Sequence, residues 1–411
     1  MAEPAAVSQP HWLNAARLRV YPAMIVAICS VAFAAWIALA LPGLVDLRGK
    51  PVGWDFITFW SAARLALAGR AAAAFDWSAL AAVEHQAVPA LGDVRFLWHY
   101  PPTFLLLVLP LGLLPYLAAL GVFVGAGAGL WVALARALLR DRRAWLAALA
   151  TPAALINLLD GQNGFLTAGL AGFALLQLER RPRLAGALIG LLAIKPHLAA
   201  LFPVALVAAR RWQALAAAAL SATLFAGLGL AAFGGDTALA FLRDLPTLRD
   251  IVDRGALPWG QMPSAYVAAL SAGAPPAVAT VLQAAVALGA AFCVWRAWRT
   301  PATGSSPAVP FEARAAVLLA GSVLVSPYLF TYDLTWVAAA IGCLVRLGLR
   351  DGFGRGERDV LFAAWLAPAL MVPFYWMTGV QLGAAMLVLL LGTAMRRAVA
   401  ASSARAPASP A

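Results

Sequence analysis

The sequence predicts an all-α polytopic integral membrane protein. Of its 411 residues, 63% are hydrophobic and only 12% are charged, and the mean hydropathy is +0.83. Apolar stretches of about 20 residues recur along the chain, a length that crosses the hydrocarbon core of a bilayer. This composition excludes an ordinary soluble domain. The net charge of +12 therefore indicates arginine-rich cytoplasmic loops rather than a nucleic-acid partner.

About twelve segments are predicted to span the membrane. The first is longer than the core of a secretory signal, so we expect it to be retained. Two pairs of segments are interrupted by turns that contain proline, "IKPH" and "SPYLFTYD". The predicted spans are 20–43, 116–139, 144–159, 163–179, 184–195, 197–209, 212–233, 275–298, 314–327, 331–347, 358–375 and 379–395.

The stretch 97–115 is apolar but has prolines at positions 101, 102, 110 and 115. If it does not cross the membrane and the N-terminus is inside, 21 of the 30 Lys and Arg residues fall on the inner side, with only 7 of the 18 Asp and Glu. If it does cross, this asymmetry weakens. The positive-inside rule thus predicts that 97–115 is a re-entrant or juxtamembrane hairpin on the outer face.

The predicted topology divides the chain into a cytoplasmic N-terminus (1–19), a single membrane domain (20–397) and a disordered cytoplasmic tail (398–411). Two sizeable outer segments result, 44–115 and 234–274. "DFITFWSAARLALAGR", "DWSALAAVEHQAV" and "FLRDLPTLRDIV" within them have the pattern of amphipathic helices lying on the membrane surface.

Several polar residues from separate parts of the chain fall at one predicted membrane depth, facing the outer compartment. They are Asp55, His99 with Tyr100, Asp160, Lys195 and Asp333. Because charge near a bilayer is costly, this convergence predicts a functional site on the outer face.

Each of these residues also has a structural interpretation. Asp55 has the position of a helix cap, and Asp160 in "DGQNG" that of a turn residue. Lys195 is placed to extend to the membrane interface, and Asp333 to pair with an arginine of the second outer segment. For His99 the alternative is a hydrogen-bonded interfacial histidine.

An ordered series of motifs carries a family resemblance from about residue 50 to 345. "DFITFWSAARLALAG" is followed by "HYPP", "GQNG", "AGALIGLLAIKP" and "SPYLFTYD". In this order and spacing they resemble the bacterial family 87 glycosyltransferases, which include polyprenol-phosphate-mannose-dependent α-mannosyltransferases. The resemblance implies a GT-C-like membrane fold and transfer of a sugar from a lipid phosphate on the outer face.

The resemblance implies a role for each site residue. Asp55 is expected to be the general base of an inverting displacement, and Lys195 the first contact of the donor phosphate. The further donor-binding candidates are His197, His99, Tyr100, Arg95 and Arg254. The candidates for binding sugar or acceptor hydroxyls are Asp160, Gln162, Asn163, Tyr332 and Asp333. No cofactor is expected. A divalent metal is not expected either, because no second acidic residue stands next to Asp55.

The expected protein is thus a membrane hexosyltransferase, mannose being the family's best-known donor sugar. We expect it in the bacterial inner membrane, with its active site facing the periplasm and a glycolipid or glycan as acceptor. The main alternative is a multi-span transporter or lipid flippase, whose broken helices also contain charges. A membrane scaffold and an O-antigen ligase or polymerase are further alternatives.

Overall fold

The computed structural model describes residues 14–92, 96–299 and 309–403, and this part of the chain is built from helices. The only extended pairing among these residues is the isolated bridge between Val45 and Pro51. The α-helices are α1 Ala15–Ala40, α2 Phe56–Leu67, α3 Trp77–Ala87, α4 Pro102–Val108, α5 Tyr116–Leu139, α6 Ala144–Leu149, α7 Pro152–Leu159, α8 Gly164–Gln177, α9 Pro182–Leu191, α10 Pro196–Ala199, α11 Leu201–Ala208, α12 Trp212–Asp253, α13 Ala265–Ser271, α14 Pro276–Trp298, α15 Phe311–Val323, α16 Thr335–Asp351, α17 Glu357–Thr378 and α18 Gly383–Ser403. The 3₁₀ segments are Ala71–Phe75, Leu109–Leu113, Leu192–Ile194, Trp259–Gln261 and Thr331–Leu334.

Seven helices in the described residues are long and apolar enough to cross a membrane. Their outward side chains are apolar and exposed, as at Val31 (73%), Leu228 (61%) and Leu288 (71%). Such faces suit contact with lipid. The seven segments are Val20–Ala40, Tyr116–Leu139, Trp212–Asp253, Pro276–Trp298, Thr331–Asp351, Glu357–Thr378 and Gly383–Ala400.

The other five predicted spans form shorter helices, so the expected number of twelve is not confirmed. Segment 144–159 divides into α6 and α7 because Pro152 opens a new helix, which the Thr151 hydroxyl caps by accepting from the Ala154 N–H over 3.2 Å. The predicted break at "IKPH" is confirmed, since Lys195 is non-helical and Pro196 begins α10. Each piece is shorter than the roughly 20 residues that a crossing needs.

The proline-rich stretch after Trp98 forms α4 and a 3₁₀ turn, and α5 begins at Tyr116. The helical segment Pro102–Leu113 is shorter than a span. At about 18 Å it would not cross a hydrocarbon core of roughly 30 Å. The Thr103 hydroxyl donates to the Ala193 carbonyl over 2.8 Å, which ties the start of α4 to the 3₁₀ segment that follows α9.

The prediction that α2 lies on the membrane surface is wrong. Eight residues of α2 are buried, among them Phe56 and Phe59 at 0% and 1% exposure. The Phe59 ring packs edge-on against Phe104, with 4.9 Å between ring centroids. This aromatic core fixes α2 and with it the position of Asp55, the residue before its first turn.

Helix α12 bends at Gly234, whose φ of +78° is readily adopted only by glycine. Beyond the bend, Leu242 and Leu245 are 57% and 43% exposed, consistent with the predicted interfacial helix. The opposite face carries buried Thr237 and Asp244. The second half of α12 therefore turns a polar face toward the protein.

The residues outside the described ranges are 1–13 and 404–411 at the chain ends and the internal segments 93–95 and 300–308. The predicted N-terminus and tail fall largely there. The start of the tail was predicted wrongly, because α18 continues to Ser403.

Candidate active site

Asp55 occupies the cap position of α2, but its carboxylate makes no hydrogen bond to the first turn. Instead, the Gln162 side-chain amide donates to Asp55 Oδ2 over 2.9 Å. The Asp55 backbone N–H donates to the Asp160 carbonyl over 3.1 Å. The interpretation of Asp55 as a capping side chain is therefore wrong, and its carboxylate is held at the 160–163 turn.

The turn between α7 and α8 packs closely on the loop before α2. Gly161 has a φ of +60°, and a Cβ there would lie 2.7 Å from the Gly53 carbonyl oxygen. Gln162 follows. Its Oε1 accepts a hydrogen bond from the Tyr100 hydroxyl over 3.1 Å, and its amide nitrogen donates one to Asp55. The predicted turn is present, and it also links two predicted site residues.

Lys50 lies close enough for its charge to act on both site carboxylates. Its backbone N–H donates to Asp46 Oδ1 over 3.0 Å, and its ammonium lies 3.9 Å from the ring centroid of Trp54. Its positive charge favours the ionised forms of Asp55 and Asp160. Lys50 was not predicted as a site residue. Its only signal in the sequence is that the chain contains just two lysines.

The two carboxyl groups have different tendencies to ionise. Burial raises the pKa of Asp55, and the Gln162 hydrogen bond and the charges of Lys50 and Lys195 oppose that rise. Burial raises the pKa of Asp160 well above its usual value, and the neighbouring Asp55 raises it further. The environment therefore favours a proton on Asp160 and leaves Asp55 as the carboxyl group that ionises more readily.

Lys195 faces the protein interior at the break between α9 and α10. Its ammonium lies 2.6 Å from Asp333 Oδ1, and the two residues are 5% and 0% exposed. The ammonium also lies 3.5 Å from Asn163 Oδ1 and 4.6 Å from the Tyr332 ring centroid. The interpretation of Lys195 as an interfacial lysine is therefore wrong, and Asp333 pairs with this lysine rather than with an arginine.

Close packing between α8 and α16 brings Asn163 and Asp333 together. The Thr335 hydroxyl donates to the Gly164 carbonyl over 2.9 Å. A Cβ on Gly164 would lie 2.3 Å from the Tyr332 carbonyl oxygen, so only glycine allows this approach. The arrangement places five predicted residues, Asn163, Gln162, Lys195, Tyr332 and Asp333, around one polar centre.

Several buried polar atoms near this centre have no hydrogen-bond partner among the described residues. They include Asn163 Nδ2, His197 Nε2, His99 Nε2 and both side-chain polar atoms of Asn157. Leaving a buried polar group unpaired costs about 1–3 kcal/mol, so these groups are suited to bind water or a polar substrate. Asn157 was not predicted as a site residue. Its only signal in the sequence is an amide within an apolar segment.

The remaining predicted residues are placed less centrally. His99 pairs with Asp244 of α12, the Nδ1 to Oδ2 distance being 2.5 Å. Arg254 is not brought into the site: its side chain is 79% exposed and lies 3.8 Å from Asp250. Arg95 lies outside the described residues.

Over the described ranges, no three His, Cys, Asp or Glu side chains form a group that could hold a metal ion. Asp55 and Asp160 are a pair of carboxyl groups, and Lys50 is the cation whose charge acts on both of them. Metal independence stays a prediction.

An apolar groove of about 650 Å³ lies between α4, α9 and α12. Leu191 of α9, four residues before Lys195, lines the groove. Leu106 and Leu107 line it from α4. The α12 wall consists of Phe225, Leu228, Ala231 and Ala232. The groove thus offers an apolar surface next to the elements that carry Tyr100 and Lys195.

The chain is thus a helical membrane protein with a pair of carboxyl groups, a buried lysine and an apolar groove formed by the neighbouring helices. The sequence profile of glycosyltransferase family 87 matches residues 98–327, more than half of the chain. The chain belongs to this family and is a glycosyltransferase, which confirms the predicted family and enzyme class. The searches of curated proteins and of solved structures found no match.

Proposed function

We propose that the protein transfers a hexosyl unit from a polyprenyl-phosphate sugar to a glycolipid or glycan acceptor. The sugar proposed first is mannose. The observation that carries this proposal is an Asp55 carboxylate on which the charges of Lys50 and Lys195 both act, together with an apolar groove lined by α4, α9 and α12. The site offers a base for the acceptor, cations for a phosphate and a path for a lipid. A soluble nucleotide sugar would have no use for the groove.

In the proposed reaction, Asp55 accepts the proton of an acceptor hydroxyl. The hydroxyl oxygen then bonds to the anomeric carbon of the sugar, and the bond from that carbon to the phosphate oxygen breaks. The electron pair leaves with the polyprenyl phosphate, and the anomeric configuration inverts. The raised pKa of Asp55 makes it a stronger base than an exposed aspartate.

The leaving phosphate gains negative charge and needs cations nearby. An ammonium has three N–H donors, and Lys195 directs one to Asp333 and one to Asn163, so one donor remains for a phosphate. Lys50, whose charge also acts on Asp55, supplies a second positive charge. Asp160, Gln162, Asn163, Tyr332 and Asp333 are proposed to bind sugar or acceptor hydroxyls.

The proposed location is the bacterial inner membrane, with the site open to the periplasm and the bilayer as the protein's surroundings. The family assignment favours this transferase over the transporter or flippase hypothesis. No nucleic acid takes part in the proposal, and no metal or other cofactor is required by it.

The test is a transfer assay with the purified full-length protein. It is incubated with membrane glycolipid extract and radiolabelled polyprenyl-phosphate mannose, polyprenyl-phosphate glucose or a nucleotide-linked mannose. We expect label to reach the glycolipid fraction from a lipid-phosphate donor only. Transfer from the nucleotide sugar alone, or from none of the three donors, would contradict the proposal.

A further inference from the structure

His99 and Asp244 form a buried pair between distant parts of the chain. His99 Nδ1 lies 2.5 Å from Asp244 Oδ2, and the two side chains are 16% and 7% exposed. An ionised carboxylate can only accept a hydrogen bond, so His99 donates through Nδ1–H. This fixes the orientation of the ring and leaves Nε2 as its free nitrogen.

The Nε2 atom is buried and has no hydrogen-bond partner among the described residues. An exposed histidine would satisfy this nitrogen with water, but a buried one needs a polar group that comes to it. The next residue, Tyr100, bonds to Gln162, which in turn bonds to Asp55. The pair therefore adjoins the polar centre without being part of its hydrogen-bond chain.

Asp244 is placed here by the bend of α12. Before the bend, α12 packs on α4, where a Cβ on Gly229 would lie 3.3 Å from the Pro102 carbonyl carbon. The same part of α12 lines the apolar groove. After the bend at Gly234, Asp244 is buried while neighbouring Leu242 and Leu245 face outward.

The pair joins the chain segment before α4 to α12, and these two helices also line the groove, although neither His99 nor Asp244 lines it directly. His99 lies three residues before Pro102, the first residue of α4. The groove residues Leu106 and Leu107 lie later in the same helix. A lipid chain that lies in the groove and extends past Pro102 would bring its phosphate toward His99. Binding an anionic oxygen needs an N–H donor, and with Nδ1–H directed to Asp244 the Nε2 atom donates only when the ring carries both protons as an imidazolium.

We propose that His99 Nε2–H binds the phosphate of the lipid-linked donor and that Asp244 is a positioning residue that holds the His99 ring for this contact. The inference rests on the proposed function, because it assumes a lipid phosphate in the groove. It adds a residue of α12 to the donor site and makes the bend at Gly234 part of how that site is assembled.

The variants are chosen to separate binding from structural support. In His99→Asn the amide nitrogen replaces Nδ1 and keeps the bond to Asp244, but the Nε2 contact is lost. Asp244→Asn removes the charge that orients the ring, and the double variant removes both. The matched control is Asp236→Asn, an exposed carboxylate on the same half of α12.

The probes are farnesyl phosphate and farnesol, which differ only in the phosphate, and binding to the full-length protein is measured. We expect His99→Asn to bind farnesyl phosphate roughly ten- to a hundredfold more weakly, with farnesol binding unchanged. Asp244→Asn should weaken it about tenfold. The double variant should be no weaker than His99→Asn, since both act on one contact.

Two results would overturn the inference, and they differ in what they say of the proposed function. If the wild-type protein prefers farnesyl phosphate to farnesol and both single variants keep this preference, the pair only joins two chain segments. The proposed function then stands. If the wild-type protein has no preference for the phosphate, the lipid-phosphate donor and the inference fail together.

Discussion

At the scale of single residues, the site depends on a short chain of hydrogen bonds. The Tyr100 hydroxyl donates to Gln162, and Gln162 donates to Asp55. The Gln162 amide thereby fixes the carboxylate and favours its ionised form. Lys50 and Lys195 act in the same direction through their charge. These neighbours counteract burial, which alone would keep Asp55 protonated to higher pH.

Lys50→Met is expected to shift the pH dependence of catalysis. The Lys50 charge lowers the pKa of Asp55, so its removal raises that pKa. More of the base is then protonated at a given pH, and the acidic limb of kcat/KM moves to higher pH. The measurement is a pH–rate profile of each variant. Arg48→Met, an exposed neighbour in the same loop, is the control and should leave the limb in place.

A limb that stays fixed or moves to lower pH in Lys50→Met would show that the titrating group is not under the influence of Lys50. Gln162→Leu gives an independent check, because it removes the hydrogen bond that also lowers the pKa of Asp55. Gln162→Leu should likewise move the acidic limb of kcat/KM to higher pH.

The sequence allowed most of the central residues to be predicted, because charged side chains at one membrane depth are rare and informative. Asp55, Gln162, Asn163, Lys195 and Asp333 do lie together. Their partners were not predictable: the bond between Lys195 and Asp333 joins residues 138 positions apart. The pairing of Asp244 with His99 was not predictable either, because the leucine spacing around Asp244 indicated only a helix at the membrane interface.

At the scale of helices, glycines set how closely α9 approaches α12. A Cβ on Gly186 would lie 2.2 Å from the Ala214 carbonyl oxygen, and one on Gly190 would lie 2.5 Å from the Ser221 Cβ. Such small-residue contacts allow two membrane helices to pack backbone to backbone. Because α9 ends just before Lys195, this contact also fixes the lysine.

Gly190→Ala is expected to destabilise the protein, although alanine favours helices by about 1 kcal/mol. The added methyl group meets the backbone of α12 at Ala218 as well as Ser221, and overpacking costs roughly 1–3 kcal/mol. Thermal unfolding in detergent gives the comparison. Gly289→Ala on α14 is the control, because its new Cβ meets no atom within 4 Å. Equal stability of the two variants would contradict close packing of α9 on α12.

The sequence predicted where helices break, but it did not predict whether a given helix is buried in the protein or exposed. Proline marks the breaks at Pro152 and Pro196 directly in the sequence. The burial of α2 depends on aromatic contacts with α4 and α5, which no local pattern reveals. Its single charge, Arg64, extends to the Gly112 carbonyl oxygen over 3.2 Å, so it does not mark a lipid-surface helix.

At the scale of the whole molecule, the site and the arginine-rich side lie at opposite ends of α16. Asp333 precedes this helix, and Arg346 and Arg350 near its other end pair with Glu312, each 3.3 Å away. The 17 residues of α16 separate the two ends by about 25 Å. This separation suits a protein with basic residues on one side of the membrane and the site on the other.

Reporter fusions test this orientation. A periplasm-active phosphatase fused after Arg143 should be inactive, and a fluorescent protein that folds only in the cytoplasm should be active there, because the loop carries three arginines. A phosphatase fused after Gly255 should be active. Phosphatase activity after Arg143 would restore 97–115 as a membrane span and contradict the topology.

The central claim is that Asp55 is the base of a sugar transfer from a lipid phosphate, and Asp55→Asn tests it most directly. The variant is assayed with radiolabelled polyprenyl-phosphate mannose and membrane glycolipid extract, beside the wild-type protein. We expect label transfer to fall by roughly 100- to 10,000-fold, with farnesyl phosphate binding and the unfolding temperature preserved. Transfer at the wild-type rate by a folded Asp55→Asn variant would contradict the account.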